Sequence, residues 1–258
     1  MSNYVLLLPP SEAKIENINK TTTYSEAKRT NSFKEINPAR NRLYRHLIEV
    51  LSSANLKELA NILELKGAQL QKAIRANFTM GRASTLPAVH RYMGIMFKHI
   101  NYNDMNQKQK DNFNKNTLII DGMFGIVRPL DLIPDYKLKI TSKLAGLNVA
   151  KYWAKELAIV LEKELSEKII IDILPDTHRK VIDFSKGKEH YEIIFAEEVG
   201  GKMKNAGHFS KKLKGEFVNF ICSKENIEYD DLINWEHSDG FKFSKKYSSK
   251  NNIVYLKK

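Results

Sequence analysis

The chain has 258 residues, 42% of them hydrophobic and 10% aromatic, enough apolar surface for a sizeable core and too much for a disordered chain. Its single cysteine rules out an internal disulfide and a cysteine-built zinc cage, and no uncharged apolar run approaches the ~20 residues that a membrane helix needs. Lys and Arg number 42 against 30 Asp and Glu, and the net charge of +12 favours an anionic partner over a neutral one.

Residues 4–8 are a short apolar run closed by Pro9-Pro10, which predicts a buried strand feeding a loop. The apolar run is too short for a signal peptide and no basic stretch precedes it, so a cytoplasmic protein with no membrane association is expected. Residues 11–37 are polar and are expected to form an exposed excursion, flexible in part. Pro38 opens a helical region, where the missing N–H of proline costs nothing. Leu43, Leu47, Val50 and Leu51 share one helix face. Leu56, Leu59, Ile62 and Leu63 make a second, shorter helix. Gly67 interrupts the pattern, and Leu70, Ile74 and Phe78 restart it. This helix–Gly–helix arrangement resembles a helix-hairpin-helix element, which holds DNA phosphates on backbone N–H groups and nearby Lys or Arg. The usual second glycine is missing, and an ordinary helical hairpin fits the same pattern.

Residues 85–100 read as one further helix with Arg91 and Lys98 exposed, and 101–116 as a polar helix or loop. Residues 117–120 form a buried strand, followed by a turn with two glycines, Gly122 and Gly125. The alternation over 137–140 predicts a half-exposed strand. Asn148 is placed to cap a helix running to Leu165. Strands are expected over 168–174 and 191–195, a helix over 209–223, and two closing strands over 241–243 and 253–256. Cys222 falls beside core positions of the 209–223 helix and reads as a buried structural residue. The intermixing predicts a mixed α/β (α+β) fold, one domain over 1–258 with a β-sheet core and a helical subregion at about 38–116.

Charge is segregated along the chain. No acid lies between Glu64 and Asp104, a stretch holding Lys66, Lys72, Arg75 and Arg82. Lys202, Lys204, Lys211, Lys212 and Lys214 all precede Glu216, whereas 225–239 carries six acids. These nine basic residues are the candidate DNA contacts.

Other polar residues sit where chemistry is often built. Ser11, Glu12 and Lys14 follow a strand end, the usual lining of an α/β crevice. Arg128 and Asp131 flank a proline; the Arg fork suits phosphate or carboxylate, and the pair could equally pin a turn. His208 and Lys211 stand at a helix start, which either favours an anion or is simply a solvated first turn. The seven histidines form no H-x-x-x-H pattern, and no metal site is predicted. Neither G-x-x-x-x-G-K-[ST] nor G-x-G-x-x-G is present, so no cofactor is predicted.

Several segments together resemble the YaaA family of peroxide-stress proteins (UPF0246 or DUF328). Residues 6–14, LLLPPSEAK, are similar to the family's opening LLPPSEGK, with Ala13 where many members have Gly. Residues 88–94, AVHRYMG, are similar to its A-x-x-R-Y-x-G. The most specific match is 122–138, GMFGIVRPLDLIPDYKL, against G-L-Y/W-G-V/L-L-R-P-x-D-x-x-x-P-Y-R-L. Tyr152-Trp153, residues 208–215 and Gly240-Phe241 fit in the same order. Lys14, Arg128, Asp131, Tyr136, Lys211 and Lys212 are the positions that recur. The resemblance implies a cytoplasmic protein tied to surviving hydrogen peroxide, to lowering free iron and to DNA binding. Two functions follow. One is a stress protein that binds DNA through its basic face, without sequence specificity, and limits iron-driven (Fenton) damage. The other is an enzyme acting on a small anionic or nucleotide-like substrate, with Glu12, Lys14, Arg128, Asp131, Tyr136 and Lys211 as candidate catalytic residues.

Overall fold

The protein is described by a computed structural model covering residues 2–16, 22–207 and 209–257. The strands of its main sheet are β1 (Tyr4–Leu8), β2 (Thr117–Asp121), β3 (Gly125–Val127), β4 (Ile169–Asp172), β5 (Glu189–Val199), β6 (Lys202–Asn205), β7 (Lys242–Phe243) and β8 (Asn252–Lys257). Their order is β7-β8-β5-β4-β1-β2-β3, with β6 added to β5 as a hairpin. The five central strands are parallel: Leu6 pairs with Thr117, Tyr4 with Ile169, Ile169 with Glu189 and Ile193 with Ile253. β3, β6 and β7 pair antiparallel with their neighbours.

Sequence explains why β1, β2 and β4 take the middle. YVLLL, TLIID and IIID are buried at every position, as a parallel strand covered on both faces requires. One apolar cluster joins these strands to the helices on either side, with Trp153, Phe113 and Phe217 fully enclosed. The fold is thus a mixed α/β domain, and no helix among the described residues is long and apolar enough to cross a membrane.

The helices follow the apolar periodicity, with informative exceptions. Asn37–Ser53 carries Pro38 in its first turn and buries Leu43, Leu47, Val50 and Leu51. Leu56–Leu63 and Gly67–Thr79 form a helical hairpin whose turn places Glu64 in the left-handed region. Where one helix was expected over 85–100, there are two short ones, Ala88–Arg91 and Ile95–Ile100. The break arises because Met93 N–H donates to Ala13 and Ile15 N–H donates to Arg91, so this backbone pairs with the 13–15 loop. Arg91, expected at the surface, is fully buried, and its guanidinium donates to the carbonyls of Ile133, Ser84 and Ile15.

Asn148 does cap its helix, accepting from Lys151 N–H, but that helix is divided at Leu157 into Val149–Glu156 and Ala158–Leu165. Residues 137–140 keep the expected burial alternation but have no strand neighbour. Their backbone is held by Asn77, whose side-chain amide accepts from Lys137 N–H and donates to its carbonyl. The described parts of 11–37 are not simply an exposed excursion. They include the short helix Tyr24–Ala27 and bury Tyr24, Ala27, Phe33 and Ile36.

Gly125 and Gly215 are required where they stand. Gly125 has φ +73°, and a Cβ there would lie 2.6 Å from the Trp153 ring. At Gly215 the Phe209–Cys222 helix crosses Ile95–Ile100, and a Cβ would lie 2.4 Å from the Met96 carbonyl oxygen.

Candidate functional site

The sheet order places a crevice at the carboxyl ends of β1 and β4. The chain leaves β1 toward β2 and leaves β4 toward β5, on opposite sides, so the two exit loops part there. The loops are Pro9–Lys14 after β1 and Ile173–His178 after β4, and together with Asp121 at the end of β2 they line a cavity of about 790 Å³. The extended 136–141 segment and the first turns of the Ile95–Ile100 and Phe209–Cys222 helices complete its wall.

Five lysines line this cavity, Lys14, Lys137, Lys139, Lys211 and Lys214, against three carboxylates, Glu12, Glu64 and Asp121. Two of those carboxylates are already engaged with lysines. Glu12 lies 2.6 Å from Lys137 Nζ and 3.0 Å from Lys139 Nζ, and Glu64 is 2.7 Å from Lys139. Partial burial works against the Glu12 carboxylate, but the hydrogen bonds and charges of Lys137 and Lys139 outweigh it and hold its pKa below the ordinary value. Lys214 donates to the Ile173 carbonyl at 3.2 Å, and its own pKa is lowered, chiefly by burial. Lys211 stands exposed at the rim.

Asp121 anchors the floor. Its Oδ1 accepts from the backbone N–H groups of Met123 and Phe124, at 2.7 and 2.9 Å. Its Oδ2 accepts from Tyr92 Oη at 3.2 Å and, closer still, from Tyr136 Oη. Burial among these groups holds both tyrosine pKa values well above 10, so each keeps its proton. Lys14 Nζ lies 4.1 Å from the centroid of the Tyr136 ring and 5.8 Å from that of Tyr92. Enclosure lowers the Lys14 pKa to about 8, the attraction of Asp121 and Asp135 offsetting only part of the effect. His178 is likewise pushed down to about 4 by burial, against the pull of Asp121, and its Nδ1 is 3.1 Å from Thr177 Oγ1.

Of the candidate catalytic residues, the fold brings Glu12, Lys14, Tyr136 and Lys211 to one cavity. It does not bring Arg128 and Asp131 there. The Arg128 guanidinium donates to Glu164 and to the Lys115 carbonyl and lies over the Phe33 ring. Asp131 accepts from the backbone N–H groups of Arg128 and Ser32, and so pins the turn around Pro129. His208 lies outside the described residues.

Of the candidate DNA contacts, Lys66, Lys72, Arg75 and Arg82 are exposed in and beside the Gly67–Thr79 helix, and Lys202 and Lys204 are exposed on β6. Lys72 pairs with Glu16. Lys212 is half-buried and pairs with Asp239 at 3.1 Å, while Lys214 belongs to the cavity. Sequence reasoning missed Lys137, Lys139, Asp121, Tyr92 and His178 as site residues. Asp121 and His178 carried a usable signal, since both stand at or just after the carboxyl end of an apolar strand. Among the described residues no group of three or more His, Cys, Asp or Glu is placed to hold a metal ion.

The sequence profile of the family described as peroxide stress protein YaaA matches residues 5–247. A UPF0246 protein of Fusobacterium nucleatum subsp. nucleatum is 26% identical over 257 residues, 98% of each chain. UPF0246 proteins of Rickettsia felis and Rickettsia bellii are 27% and 28% identical, covering 83% and 85% of this chain and 88% and 90% of their own. With a match running through the strands, the crevice loops and the Phe209–Cys222 helix, the chain belongs to the peroxide stress protein YaaA family.

Proposed function

We propose that this is a cytoplasmic peroxide-stress protein that works through a small anionic ligand, bound and acted upon in the lysine-lined crevice. The observation that carries this reading is the excess of lysines around a crevice at the parting of two strand-end loops. Such a crevice draws in an anion by focusing positive charge between low-dielectric walls. Lys137 and Lys139 come from an extended segment and face the ligand space two residues apart, so they suit the two ends of a carboxylate or phosphate group. Calorimetric titration with oxalate and with inorganic phosphate tests the reading. The wild-type protein is expected to bind at least one of them. The Lys137→Ala/Lys139→Ala double variant should bind about tenfold more weakly or worse, because charged hydrogen bonds contribute ~1.5–3 kcal/mol each. Equal affinity in wild type and double variant would rule the crevice out as the anion site.

A second reading concerns the outer surface. Lys66, Lys72, Arg75 and Arg82 are all exposed on one acid-free stretch, which supports DNA binding through phosphates without sequence preference. Coating of DNA in this way would limit iron-driven (Fenton) damage to it. Duplex DNA retention by the wild-type chain, and its loss in a Lys66→Ala/Lys72→Ala/Arg75→Ala variant, is the expected result. Undiminished retention by that variant removes this face from consideration.

A further inference from the structure

We propose that Lys14 is an amine nucleophile that condenses with the carbonyl carbon of a small aldehyde or ketone bearing an anionic group, the neighbouring cavity lysines holding that anion. This rests on the crevice being an anion site and adds the class of substrate and the bond made.

Lys14 differs from the other enclosed lysines of the cavity in having no partner. Lys137, Lys139 and Lys214 each hold a carboxylate or a carbonyl. Among the described residues, Lys14 Nζ makes no hydrogen bond and no ion pair, only the approaches to the Tyr136 and Tyr92 rings. The amine opens into the crevice with no protein partner, so it is free to meet a ligand there. Its position is also fixed. Residue 14 bridges Tyr92, and the backbone on either side is bonded to 91–93, Met93 N–H to Ala13 and Ile15 N–H to Arg91. Tyr136 beneath it is tied by its hydroxyl to Asp121.

The surroundings suit condensation. With its pKa near 8, Lys14 holds roughly a hundredfold more free amine at neutral pH than an ordinary lysine. The free amine adds to the carbonyl carbon, forming a C–N bond and a carbinolamine. The C–O bond then breaks and the oxygen leaves as water, taking up one of the two amine hydrogens and one proton from solvent, so the nitrogen keeps its other hydrogen and the imine is protonated. No oxidant or reductant is needed. His178, neutral at pH 7, lines the same cavity and can pass a proton between nitrogen and oxygen. The protonated imine is a cation lying over the Tyr136 ring face, where the ring quadrupole favours it.

The test is reductive trapping on the full chain. Protein is incubated with glyoxylate and sodium cyanoborohydride, or with propanal in its place, and the adducts are mapped by peptide mass spectrometry. Exposed Lys66 in the same digest is the reference. Glyoxylate is expected to label Lys14 about tenfold or more faster than Lys66, a margin well inside its gain in free amine. Propanal should show much less of this preference. The labelling rate at Lys14 should level off above pH 8. Lys14→Arg should remove the adduct while leaving the circular dichroism unchanged. Labelling of Lys14 no faster than Lys66 overturns the proposal without relying on any variant. If oxalate binds the crevice and Lys14 stays unlabelled, the anion site stands and the condensation is refuted. If Lys14 is labelled preferentially by both aldehydes and oxalate does not bind, the nucleophile stands and the anionic class falls.

Discussion

His178 shows how much one side chain can report about the cavity. Burial lowers its pKa to about 4, so the folded protein holds it neutral where the unfolded chain protonates near 6.5. A depressed folded-state pKa contributes stability that is complete above about 6.5 and is lost as the pH falls toward 4. The wild-type protein should therefore lose more thermal stability between pH 7 and pH 5 than a His178→Gln variant does. Glu12 does not obscure the comparison, because its lowered pKa places its titration below that window. Parallel melting curves across the range would count against an enclosed ring. At this scale the sequence was legible after β1, where Glu12 and Lys14 line the crevice, and was passed over after β2 and β4, where Asp121 and His178 line it too. It was not legible for Arg91, because the carbonyls that receive its guanidinium come from residues 15, 84 and 133, which only the fold brings together.

Among the elements, the helix crossing at Gly215 leaves no room for a side chain. A methyl group there would meet the Met96 carbonyl oxygen at 2.4 Å and His99 Cβ at 2.7 Å, both on a neighbouring helix that cannot yield cheaply. Gly215→Ala is expected to destabilise by about 1–3 kcal/mol. This should appear as a lower urea midpoint with an unchanged slope. Since Lys214 is the preceding residue, the same substitution should weaken oxalate binding. A variant as stable as the wild type would mean that the two helices separate freely. The strands were readable from their apolar runs because a central parallel strand has no polar face to disguise it. The helix break at Gly67 was readable, but the one within 85–100 was not. Gly94 is the only local cue there, and the break is fixed by residues 13–15, which pair with the 91–93 backbone. The 137–140 alternation was read correctly as two faces, but the face bearing Lys137 and Lys139 looks into a cavity rather than into solvent, since no strand lies beside it.

For the whole molecule the question is how a charge of +12 is divided between an enclosed space and an open surface. The two can be separated by salt. DNA binding at the Gly67–Thr79 surface should fall steeply between ~50 and ~200 mM salt. Removing Lys66, Lys72 and Arg75 should reduce the log–log slope by about 2–3. Anion binding in the crevice should be unchanged by that triple variant, and a loss there would mean that one site serves both ligands.

The position of β1 sets the order in which this molecule can be made. β1 precedes its partners along the chain yet lies at the centre of the sheet, with Leu6 paired to Thr117 and Tyr4 to Ile169. A nascent chain that has not yet emerged past residue 117 offers β1 no edge to join. During that interval five residues destined for full enclosure stay in water. Helices such as Asn37–Ser53 and Gly67–Thr79, whose hydrogen bonds are local, can form without waiting. The crevice is among the last features to exist, because its second wall follows β4 and must await the Phe209–Cys222 helix to close it.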